Sequence, residues 1–143
     1  MTAPTIEPFT DDHIAAAGAL LAERHRRQRQ IEPLLSDRYE DPAQAAGQVR
    51  DEWAKEGATG AVALRDGEVA GYMIGSPKND NIWGVNQWVE SAGYAVETPE
   101  DIRDLYAYLA GGWVEADRTR HYAVVPATDR AAVEALLGGP LGQ

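Results

Sequence analysis

A helix enclosed by two strands constrains this chain most. Thr98-Pro99-Glu100-Asp101 combines an N-cap residue, proline at the first helical position and an acid close behind, and Ile102, Leu105, Tyr106, Leu109 and Trp113 continue as an apolar stripe at helical spacing. Upstream, Ile82 to Val89 is rich in aromatic and β-branched residues. Downstream, His121-Tyr122-Ala123-Val124-Val125 ends at Pro126, so both segments read as strands. Two strands joined through a helix lie parallel, because the crossover returns the chain to the same end of the sheet. All-helical and purely antiparallel architectures are thereby excluded.

The rest of the chain supplies antiparallel strands and further helices. Arg65-Asp66-Gly67-Glu68 separates the apolar runs Ala61–Leu64 and Val69–Ile74, the signature of a tight hairpin. Pro77-Lys78-Asn79-Asp80-Asn81 reads as a polar turn before the third strand of this group, and Gly93 to Val96 is ambiguous between strand and loop. Thr5–Phe9 reads as a short edge strand. Thr10 then caps a helix carrying Ile14, Ala17, Leu21 and His25, whose Arg24, Arg26, Arg27 and Arg29 complement the negative end of the helix dipole. Asp41-Pro42 starts a second helix with Ala45, Ala46, Val49 and Trp53 on one face and a stop at Gly57. Asp129 caps a last short helix with Ala132, Val133, Leu136 and Leu137, stopped by Gly138-Gly139. The element order is β-α-α-β-β-β-α-β-α, an α/β (α+β) fold with a mixed sheet flanked by helices.

Composition narrows the function. The 143 residues hold 13 basic and 23 acidic side chains, a net charge of −10 that argues against nucleic acid or an anionic membrane as partner. The length suits a single domain over 1–143. There is no cysteine, so disulfides and thiolate chemistry are excluded, and His25 and His121 are too isolated to suggest zinc; no metal is expected. No run approaches a membrane span and no leader pattern opens the chain, which reads as cytoplasmic.

The element order, together with Asp101-Ile102-Arg103-Asp104-Leu105-Tyr106, Trp113-Val114-Glu115 and Thr119 to Asp129, resembles the GCN5-related N-acetyltransferase (GNAT) superfamily, in particular the N-terminal half of bacterial tandem-GNAT proteins. The resemblance implies a GNAT-like domain lacking the last two strands, acetyl-CoA as cofactor where the domain is active and none otherwise, and as partner a second GNAT-like domain or a second copy of the chain. The family holds pyrophosphate on a glycine-rich loop before its third helix, at a helix start that favours anions. The matching turn here, Ser91 to Asp101, offers Gly93 alone, with Pro99 and the acids Glu97, Glu100 and Asp101.

By the same resemblance, Glu90 takes the place of an amine base and His121 or Tyr122 that of a proton donor, while the aromatic rings of Trp88 and Tyr94, which supply contact area at little entropic cost, are candidates to line a substrate cleft. Read on their own, these residues have plainer roles: a solvated acid, a hydrogen-bonded histidine and core aromatics. Tyr106 and Trp113 share the helical stripe and read as core, while Trp83 and Trp88 face opposite sides of one strand. Three functions are consistent with this pattern: a degenerate acetyltransferase half with weak or no acetyl-CoA binding that supports a catalytic half; an active acetyl-CoA-dependent N-acetyltransferase on a small amine; and a free-standing ligand-binding or interaction module.

Overall fold

A computed structural model describes residues 3–80, 84–126 and 129–136. Strand β1 (Thr5–Pro8) leads into helices α1 (Ile14–Ile31) and α2 (Pro42–Trp53). Strands β2 (Thr59–Arg65), β3 (Glu68–Asp80), β4 (Gly84–Val89) and β5 (Tyr94–Val96) follow, then α3 (Asp101–Glu115), β6 (His121–Ala123) and α4 (Arg130–Leu136). The sheet runs β1-β2-β3-β4-β6, with β5 also paired to β3. All pairs are antiparallel except β4 with β6, where Gln87, Trp88 and Val89 face His121, Tyr122 and Ala123 in the expected parallel register.

Local chemistry explains most boundaries. Asp66 and Gly67 both adopt positive φ, 53° and 80°, as a two-residue hairpin turn matched to strand twist requires. The Asp41 carboxylate accepts the Ala43 N–H at 3.0 Å, and Pro42 opens α2 where its missing N–H is harmless. At the first helix, the Thr10 N–H donates to His13 Nδ1 at 2.9 Å and a short 3-10 turn precedes α1. Asp129 caps α4, accepting the Ala132 N–H at 3.2 Å.

Several expectations need correction, beginning with α2, which ends at Trp53 rather than running to Gly57. The segment at Pro77 is not a turn: β3 continues to Asp80, and Pro77 pairs with Gln87. Because β2 ends opposite Gly75, Pro77 lies where β3 has a strand neighbour on one side only, so its missing N–H is tolerated. A further strand, β5, precedes α3, giving β-α-α-β-β-β-β-α-β-α. Helix α3 begins at Asp101 rather than after Thr98, whose carbonyl instead accepts the Asp101 N–H at 3.0 Å. Finally, the arginines of α1 do more than complement a dipole. Arg29 donates to the Leu35 carbonyl and to Glu40, Arg26 pairs with Glu23, and Arg24 is buried.

The core has two layers. On one face of the sheet Ala17, Leu21 and Val49 of α1 and α2 pack on Val62, Tyr72 and Ile74. On the other, Ile102, Leu105, Leu109 and Trp113 of α3, with Ala132 and Ala135 of α4, pack on Ala61, Ala63 and Met73. Tyr106 is the exception to the predicted stripe: it is 36% exposed. Trp83, Leu137, Gly138 and Gly139 lie outside the described residues.

Candidate functional site

A bulge opens the sheet. Between the pairs Ser76–Trp88 and Met73–Tyr94, two residues of β3, Ile74 and Gly75, face five residues on the other side, Val89 to Gly93. The chain leaves β6 after Val89, whose carbonyl still accepts the Val124 N–H at 2.8 Å, and returns to the sheet as β5. Since β5 pairs with β3 alone, its other edge faces a gap toward the segment that joins β6 to α4. Gly93 sits inside the bulge, where a Cβ would stand 2.7 Å from the Ile74 carbonyl oxygen, and its N–H already bonds Glu90 O at 2.8 Å. Close backbone approach accounts for the glycine at this position.

Arg24 fills the gap from α1. It is 7% exposed, its Nη1 donates to the Tyr94 carbonyl at 2.6 Å, and its guanidinium lies 4.6 Å from the Tyr94 ring centroid. The Tyr94 hydroxyl donates to Asp129 Oδ2 at 2.9 Å. Arg24, Tyr94 and Asp129 thus tie α1, β5 and the start of α4 together. Arg24 also separates two small cavities: one of about 210 Å³, beside Tyr39, Gln48 and Ser91, and one of about 140 Å³, beside Glu97, Pro99 and Ile102.

Burial pushes the phenols of Tyr94 and Tyr72 well above the usual tyrosine range, against the opposing pull of the Arg24 charge. A folded-state pKa raised above the unfolded value gives stability that is complete below about pH 10 and is lost as pH rises further. We therefore expect alkaline unfolding to begin above about pH 10. The phenolate absorbance of Tyr94, read as the difference between the native protein and Tyr94→Phe, should appear together with loss of far-ultraviolet circular dichroism. Its appearance well before unfolding would show an accessible phenol.

At the start of α3 the backbone donors are spent. Asp101, Ile102 and Arg103 donate to the carbonyls of Thr98, Pro99 and Glu100 at 3.0, 3.1 and 3.2 Å, and the Glu97 N–H donates to Ala70 O at 2.9 Å. Pro99 has no N–H. In most helices the first N–H groups remain free for a cap or an anion. The acids here are not the uniform barrier that the sequence suggests: Asp101, 1% exposed, receives two hydrogen bonds from Arg65, the Nη2–Oδ1 contact being 2.8 Å. Arg65 is in turn held more firmly in its charged form by that carboxylate, with Asp104 and Glu97 adding to the effect.

The proposed site residues fall into three groups. Trp88, Tyr122 and Glu90 come together: the two rings stack at 4.7 Å, and Lys78 Nζ stands 4.8 Å from the Trp88 centroid and 3.4 Å from Glu90 Oε1. His121 points to the other face, as strand alternation requires. Its Nε2 lies 2.6 Å from the Arg118 carbonyl and its Nδ1 2.6 Å from the Tyr106 hydroxyl, with the Trp113 ring edge-on at 5.0 Å. Tyr94 lies with Arg24 in the gap. Beside His121, a cavity of about 560 Å³ opens between α3, α4 and β6. Sequence reasoning missed Arg24 and Tyr106 as site residues, since one sits among surface arginines and the other on an apolar stripe.

No family model matches the chain, and no curated protein matches it by sequence. Among solved structures it is similar to a ribosomal-protein-alanine N-acetyltransferase from Brucella melitensis biovar Abortus 2308, at 15% identity and TM-score 0.63 over 92% of this chain and 86% of that one. An aminoglycoside N-acetyltransferase in complex with CoA matches at 16% identity and TM-score 0.60 over 95% and 87%. An integron cassette protein from the mobile metagenome of V. cholerae matches at 13% identity and TM-score 0.67 over 99% and 88%. At these identities the likeness establishes the fold: the chain has the mixed α/β architecture of the GNAT acetyltransferases. No helix among the described residues is long and apolar enough to cross a membrane.

Proposed function

We propose that this chain is a degenerate GNAT acetyltransferase domain, with weak or no acetyl-CoA binding of its own, that supports a catalytic half. The observation that carries this reading is the start of α3, where Asp101, Ile102 and Arg103 spend their N–H groups on internal turns beside Pro99. A pyrophosphate there would find few donors to replace its hydration. Arg24 adds to this, because an extended ligand running along the free edge of β5 would have to displace its hydrogen bond to Tyr94. The catalytic half would be a second GNAT-like domain of a tandem protein or a second copy of this chain. The outer edge of β6, which has no strand partner among the described residues, suits such an addition.

Calorimetry with acetyl-CoA tests the reading. No saturable binding is expected at sub-millimolar concentration, and Glu97→Gln with Glu100→Gln should not create any, because donors rather than charge are lacking. A micromolar site would overturn it. It would favour the second reading, an active acetyl-CoA-dependent N-acetyltransferase on a small amine, which draws on the grouping of Glu90 and Tyr122 beside Trp88. In that case Glu90 would accept the proton of the attacking amine and Tyr122 would protonate the leaving thiolate, with His121 the next residue to substitute.

A further inference from the structure

The cavity beside His121 and Tyr122 lies away from the gap at Arg24, and its lining differs in character from the rest of this acidic protein. Met73, Val89, Trp113, Val125 and Val133 supply apolar walls. Its volume of about 560 Å³ falls within the roughly 300–1,000 Å³ typical of small-molecule sites. Among the described residues, Arg103 lines it and no carboxylate does. The Nε of Arg103 donates to the Ala135 carbonyl at 2.9 Å, which anchors the guanidinium between α3 and α4, and among the described residues Arg103 forms no ion pair.

Two other polar groups of the lining are already engaged: His121 Nε2 donates to the Arg118 carbonyl, and its Nδ1 shares a hydrogen bond with the Tyr106 hydroxyl. Against the chain's overall charge of −10, an exposed arginine at the rim of an apolar wall, with no carboxylate among the described lining residues, offers an anion a local charge-assisted partner.

We propose that this cavity binds a small monocarboxylate with an apolar body, its carboxylate on the Arg103 guanidinium and its hydrocarbon part against Trp113, Val89 and Val133. The site is separate from the gap at Arg24 and does not depend on acetyl-CoA binding.

Octanoate is the probe, with octanamide as its neutral counterpart. Calorimetry should show one saturable octanoate site, and the Trp113 indole N–H resonance, which reports the bond to Thr59 Oγ1, should shift with occupancy. Loss of a charge-assisted hydrogen bond should weaken octanamide relative to octanoate by about tenfold or more. Arg103→Gln should weaken octanoate by a similar factor and leave octanamide nearly unchanged. Since Arg103 also ties α3 to α4, circular dichroism checks that this variant folds, and Val133→Trp, which puts an indole where the hydrocarbon part would lie, supplies an independent arm by weakening both probes alike. The proposal is overturned by absence of saturable octanoate binding up to about 10 mM. It is equally overturned by equal affinity for acid and amide, or by octanoate binding that Val133→Trp leaves unchanged or that leaves the Trp113 resonance unmoved.

Discussion

Leu105→Ala should lower the unfolding free energy by about 2–5 kcal/mol, the range for truncating a large core residue where the surroundings cannot collapse. Leu105 is wholly buried in the second turn of α3, packed with Ile102, Leu109 and Met73, and its Cδ1 lies 3.5 Å from where a Cβ on Gly71 would stand. The sheet beneath it is paired on both sides, so strands cannot slide in to close the void. For a chain of this length the loss corresponds to a Tm drop on the order of 10 °C. Thermal and urea unfolding followed by circular dichroism measure it. A change below roughly 0.5 kcal/mol, the level of an ordinary surface substitution, would remove Leu105 from the core.

Gly18→Val should be the next most damaging substitution, for the opposite reason. Helices α1 and α2 approach so closely at Gly18 that a Cβ there would stand 2.6 Å from both Cα and Cβ of Ala46. The obstruction is backbone, so no rotamer change relieves it and the helices must move apart. Overpacking of this kind costs typically about 1–3 kcal/mol, to which a β-branched residue in mid-helix adds a few tenths. Gly18→Ala should destabilise less and with the same sign. Denaturant midpoints of the two variants give the order; a stabilising Gly18→Ala would mean that α2 shifts freely at Ala46.

The legible parts of this fold are those fixed by local chemistry. Asp66-Gly67 specifies its turn because both residues tolerate positive φ, and Asp41-Pro42 specifies a helix start through one side-chain acceptor and one dispensable N–H. The parallel pairing of β4 with β6 follows from connectivity alone. What stayed hidden depends on neighbours distant in sequence. Pro77 looks like a turn until β2 is seen to stop opposite Gly75, and β5 is only three residues long, recognisable once β3 provides its partner. At the candidate site, Glu90, Tyr122 and Trp88 do gather on one face, whereas His121, adjacent in sequence to Tyr122, turns to the other. The acidic turn before α3 was visible, but the pairing of Asp101 with Arg65, 36 residues away, was not, and it moves the obstacle to anion binding from charge to spent backbone donors. Arg24 gave no signal, because its partner carbonyl lies 70 residues further along.

The brevity of β6 has a consequence for how the molecule breathes. Among the described residues, three join it to one neighbouring strand and seven form the helix that follows. Among the described residues, this segment is also held by the Tyr94–Asp129 and Arg103–Ala135 hydrogen bonds and by the burial of Ala132 and Ala135, so it loosens only when these ties give way together. Val125, Val133 and Ala135 belong to that unit and form one wall of the large cavity. Any loosening of that segment therefore reshapes one wall of the cavity while the opposite wall, built on β3 and α3, stays fixed.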